Sequence, residues 1–138
     1  VNGMADSLDE VANEKLGAPF TEKDPKGLES RFSQNTLADI KHNLQGAKNV
    51  YLGSFPDANT SGIGLNTHIA KVNPELDAKL KSQFEAASAA LEKVPAPLEK
   101  SLTEASAATA IQDAQKALET LHQTVRTEVL PIVAGARS

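Results

Sequence analysis

Four stretches of the chain repeat apolar residues at steps of three and four. The second of them, Leu37, Ile40, Leu44, Ala47 and Tyr51, has the spacing of one helix face. A third series is Leu76, Leu80, Phe84, Ala87, Leu91 and Val94, and the last is Ile111, Ala114, Leu118, Leu121, Val125, Val129 and Ile132. Near the start, Met4, Leu8, Val11 and Ala12 share a face. These patterns predict helices near 1–16, 33–52, 74–94 and 106–133. Local signals agree. Gly17 stands where a C-terminal cap belongs, and Asn73-Pro74 puts proline at a first helical position. Pro95 and Pro97 end the third helix, and Pro131 is expected to kink or end the last. Thr36 with Asp39 has the capping-box spacing, and Ser33 is an equally good start.

Two long connections separate these helices. Residues 17–32, with Pro19, Pro25 and Gly27, read as an ordered link with one helical turn near Leu28. Residues 53–73 hold Gly53, Pro56, Gly62 and Gly64, and Leu65, Ile69 and Val72 within them suggest a short helix across the bundle end. Leu98 and Leu102 suggest another short turn. The expected fold is all-α: an antiparallel four-helix bundle with long interhelical connections, in a single domain. Leu37, Leu44, Leu80, Phe84, Leu91, Leu118, Leu121 and Val125 should be buried.

Composition narrows the function classes. The chain has 138 residues, 40% of them hydrophobic and 23% charged, which suits one ordinary globular core. Aromatics are only 4%, and alanine is abundant, which favours closely packed helices over a β-sandwich. A net charge of −4 without any Lys/Arg-rich run argues against a nucleic-acid partner, whose binding rests on phosphate neutralisation. No apolar run approaches the ~18 residues of a membrane span. With no cysteine, disulfide and thiolate chemistry are excluded.

The second helix has an unusual back. Asn35, Asp39, His42 and Gly46 fall opposite its apolar stripe. These are mostly short uncharged groups, and a glycine inside a helix costs about 1 kcal/mol relative to alanine. Either this is a solvated face with an incidental glycine, or something approaches the backbone closely at Gly46.

Chemical motifs are sparse. Asp39-x-x-His42 and Glu119-x-x-His122 have the carboxylate-x-x-histidine spacing of di-iron bundles. Asp39 and His42 lie opposite their stripe, Glu119 lies outside its own and His122 only flanks it, so the pairs read as solvated neighbours. Thr60-Ser61-Gly62-Ile63-Gly64 lacks the lysine of a phosphate loop and reads as loop flexibility. Tyr51, on the core stripe, is expected to pack with its hydroxyl near the bundle end.

Arg31-Phe-Ser-Gln-Asn-Thr-Leu-Ala-Asp39, followed by Asn43-Leu-Gln-Gly-Ala-Lys-Asn-Val-Tyr-Leu-Gly53, resembles the imelysin-like family of bacterial proteins. Val1-Asn-Gly-Met-Ala-Asp6, Asn73-Pro-Glu-Leu-Asp77 and Val94-Pro-Ala-Pro97 extend the resemblance over nearly the whole chain. It corresponds to the C-terminal half of a protein with two helical halves. Val1-Asn-Gly-Met4 already reads as the inside of a helix, so the chain reads as a fragment with any export signal upstream.

The resemblance implies an exported protein of bacterial iron uptake, periplasmic or outer-membrane-associated, that binds metal or a metal-bearing ligand between its halves. Two alternatives are the supporting half of a metallopeptidase, the activity behind the family's name, and a non-catalytic helical scaffold. The family hallmark, glycine-x-histidine-x-x-glutamate, fits none of His42, His68 and His122. Catalytic residues are therefore expected to be absent here. Ligands for iron or another divalent metal are expected from the missing N-terminal half, which is the expected partner. Arg31, Ser33, Asn35, Asp39 and Asn43 match the family's motif, which implies that they hydrogen-bond a ligand or orient a neighbour's metal ligand. Gln34 stands where many members are expected to carry histidine, which removes a direct ligand. The isolated chain is expected to show neither peptidase activity nor tight iron binding.

Overall fold

The computed structural model describes residues 2–28, 32–55 and 60–135. The first helical run comprises α1 (Asn2–Asp9), a π-helical segment (Glu10–Gly17) and α2 (Ala18–Glu22). It thus continues past Gly17, against the expected stop there. Gly17 keeps right-handed helical angles, and the left-handed cap falls instead on Lys23, at φ 52°. The physical reason is Pro19. In an α-helix its ring would clash with the carbonyl four residues back. The wider π turn, in which the Ala18 N–H reaches the Asn13 carbonyl, separates those groups.

The same device recurs near the other end. After α7 (Ala108–Thr124), a second π segment (Val125–Val129) leads into α8 (Leu130–Gly135), with the Leu130 N–H on the Val125 carbonyl. Pro131 therefore lies inside a continuous helical run and does not end it. Between these runs lie a 3-10 turn (Pro25–Gly27), α3 (Thr36–Leu52), α4 (Leu65–Val72), α5 (Pro74–Glu92), α6 (Leu98–Ser101) and a second 3-10 turn (Ala105–Ala107). The start of α5 follows the expected chemistry, since the Asn73 side chain accepts from the Leu76 N–H at 3.0 Å.

Apart from helices and the loops that join them, the described residues hold one short β pairing, in the long connection. There β1 (Ser54–Phe55) meets β2 (Thr60–Ser61) in antiparallel register. Gly53 ends α3 at φ 67°, and its carbonyl accepts from the Gly62 N–H at 2.6 Å. A Cβ placed on Gly64 would lie 2.3 Å from the Leu52 carbonyl carbon and 2.4 Å from the Gly53 nitrogen. These glycines close the connection by direct backbone contact.

Each long helix packs on two neighbours. The first run lies against α3 and α7, α3 against α5, and α5 against α7. Lys41 pairs with Glu92 at 3.2 Å and Lys48 with Glu85, so advancing along α3 means retreating along α5. Leu37, Leu44, Leu80, Phe84, Leu91, Leu118, Leu121 and Val125 are all buried, as their periodicity predicts. Leu28, Ile69, Leu98 and Leu102 bring the connections into the same core. Among the described residues no helix is long and apolar enough to cross a membrane.

Candidate functional site

The residues singled out by sequence gather along the outward side of α3 and the turn before it. Gln34 takes a left-handed conformation, φ 56°, in the turn leading to Asn35. The first helical bond runs from the Asp39 N–H to the Asn35 carbonyl at 2.9 Å, so Asn35 is the N-cap residue and α3 opens at Thr36. Thr36 is thus the first helical residue and not the expected cap. Thr36 is buried, and its hydroxyl donates to Glu99 Oε1 at 2.6 Å, tying the start of α3 to α6.

Ser33 and Asn35 are exposed, Asp39 and Asn43 are partly exposed, and His42 is exposed. Arg31 lies outside the described residues. Gly46 sits on the same side, and a Cβ there would meet nothing within 4 Å. Four residues further on, Val50 remains 53% exposed although it is a large aliphatic residue. The stripe is therefore solvent-facing at Asn35, His42, Gly46 and Val50 and half-covered at Asp39 and Asn43.

A second polar cluster, buried between α3 and α5, escaped the sequence reading. The Tyr51 hydroxyl donates to Asp77 Oδ1 at 2.6 Å, and Lys81 Nζ donates to Asp77 Oδ2 at 2.7 Å. The Tyr51 ring stacks on Phe84 with centroids 5.8 Å apart. Burial, and then the bond to Asp77 and its charge, push the Tyr51 phenol well above its ordinary range. For Asp77 burial works against ionisation, but hydrogen bonds from Lys81 and Tyr51 outweigh it and hold the carboxyl below its ordinary value. Beside this cluster lies a groove of about 300 Å³ lined by Lys48, Leu52, Lys81, Phe84 and Glu85. Asp77 lies one turn before Leu80 and two before Phe84, on the apolar face of α5. An acid at a core position demands a partner, and that was the available signal.

His122 also departs from expectation. Its sequence position only flanks the apolar stripe, yet it is buried, because α7 is covered on one side by α5 and on another by the first helical run. A helix with two neighbours hides a wider arc than one apolar stripe. Glu119 stays exposed, as its position predicts. Among the described residues, no three of His, Cys, Asp or Glu gather as metal ligands.

With the fold and this geometry in place, the class is defined. A family model described as Imelysin matches residues 1–125, and the chain belongs to the imelysin family. It is 38% identical over 133 residues to "Iron-regulated protein A" of Synechococcus elongatus, covering 96% of this chain and 37% of that protein. Two solved structures share the fold. One, titled an imelysin peptidase from Bacteroides ovatus, matches with TM-score 0.78 at 23% identity over 97% of this chain and 39% of its own. The other, titled an iron-regulated protein A precursor from Parabacteroides distasonis, matches with TM-score 0.64 at 27% identity, over 89% and 39% respectively. The chain thus spans well under half the length of the relatives it matches.

Proposed function

We propose that this chain is the C-terminal half of a two-part imelysin-family protein of bacterial iron acquisition, exported to the periplasm or the outer membrane. In this reading it forms one antiparallel four-helix bundle. Its α3 face packs against the N-terminal half, and a metal or metal-bearing ligand is held between the two. The observation that carries the reading is the open α3 stripe, with Gly46 unfilled, in a chain covering 37% of an iron-regulated relative.

The donors on this face do not make a metal site alone. Asn35 and Asn43 offer neutral amides, Ser33 a hydroxyl, and Asp39 a single carboxylate, whereas tight first-row metal sites need three or four ligands in fixed geometry. Their chemistry suits hydrogen bonds to a bound ligand or to residues that ligate a metal from the other half. Arg31 belongs to the same set through its place in the motif.

The test is calorimetric titration of the full-length protein with ferrous and ferric ions, beside Asp39→Ala and Asn43→Ala. Both variants should bind about 10–100-fold more weakly. Unchanged affinity in both would overturn the assignment. A second reading, the supporting half of a metallopeptidase, draws on the solved neighbour titled a peptidase. Peptide cleavage by the full-length protein that is lost on changing Asp39 would favour it.

A further inference from the structure

The contact between α1 and α7 buries a histidine, His122, beside the Asp9 carboxylate. The His122 side chain is 6% exposed, and neither ring nitrogen has a hydrogen-bond partner among the described residues. A buried polar group left unpaired is costly, so an orphan of this kind calls for an ion, a water or a chemical role. Its Nδ1 lies 3.7 Å from Asp9 Oδ1, too long for a hydrogen bond. The carboxylate is fixed in place by Asn13, whose Nδ2 donates to the same oxygen at 2.7 Å. Asp9 is 49% exposed at its side chain, so the carboxylate reaches solvent while the imidazole is covered.

We propose that His122 and Asp9 form a binding site for a borderline divalent transition-metal ion of the zinc type, with water completing the coordination. Two bonds of about 2.0–2.2 Å to one ion span this separation when they open at roughly 120°. An imidazole nitrogen beside a carboxylate oxygen suits zinc, nickel or copper better than magnesium or calcium, which prefer all-oxygen sites. Asn13 orients the carboxylate as outer hydrogen bonds do in metal centres. Two protein ligands make a weak site, and it shares no residue with the α3 face.

The chain's three histidines make the test internal. Zinc chloride is titrated into histidine-labelled protein while the imidazole resonances are followed by NMR. The His122 signals should shift at zinc concentrations that leave His42 and His68 unmoved. Asp9→Asn, a change at a half-exposed side chain, should raise the apparent Kd for that shift about tenfold or more. His122 signals unmoved at millimolar zinc, shifts confined to His42 or His68, or the same titration in Asp9→Asn would each overturn the site.

Discussion

The Tyr51 hydroxyl donates to Asp77 Oδ1 across 2.6 Å, joining the last turn of α3 to the first turn of α5 inside the core. Both partners face inward, and Lys81 completes the carboxylate's bonding from the rim. Removing the hydroxyl leaves the buried acid with one partner. Tyr51→Phe should therefore cost about 1–3 kcal/mol. In urea this appears as a lower midpoint at unchanged m-value. An unshifted midpoint would mean that the bond contributes nothing net.

The same pair sets opposite pH dependences. Tyr51 holds its proton more firmly folded than unfolded. Its contribution is complete below the ordinary tyrosine value of about 10 and declines as pH rises beyond it. Asp77 is shifted the other way, so its contribution is present above the ordinary aspartate value of about 3.9 and is lost as pH falls through the lower folded value. Denaturation across pH should show an alkaline decline that flattens in Tyr51→Phe and an acid decline that flattens in Asp77→Asn. Identical profiles in all three proteins would contradict the assignment.

Two glycines should answer alanine in opposite ways. At Gly64 a Cβ would sit 2.3 Å from backbone, and overpacking of this kind costs about 1–3 kcal/mol or more. At Gly46 the space is open, and Gly46→Ala should stabilise the isolated chain by about 0.5–1 kcal/mol. Thermal unfolding of the two variants separates them. A destabilised Gly46→Ala would mean that the position is constrained within this chain.

Leu121 lies fully buried on α7, and Leu121→Ala should cost about 2–5 kcal/mol by denaturant unfolding. A cost below 1 kcal/mol would place Leu121 at a site that collapses freely around the loss.

The core was legible because burial enforces period. Leu80, Phe84, Leu91 and Leu118 recur at helical steps whatever their partners are. Helix ends were less so. Gly17 has the composition of a stop, but a π turn that accommodates Pro19 carries the helix past it, and Gln115 of α7 closes over the glycine. Thr36 has the composition of a cap, but Glu99, far along the chain, takes its hydroxyl. The exposed face from Asn35 to Gly46 followed directly from angular position. The pairs Tyr51–Asp77 and His122–Asp9 did not, because spacing within one helix says nothing about which side chain stands across from it.

If the α3 face docks the N-terminal half of the full-length protein, the two halves produced separately should associate. Calorimetry should show binding at micromolar concentration or tighter. Gly46→Arg, which fills the open position, should abolish it, while arginine at exposed Gln112 on α7 should leave it intact. Halves that do not associate at micromolar concentration, or that associate equally well with Gly46→Arg, would contradict the account.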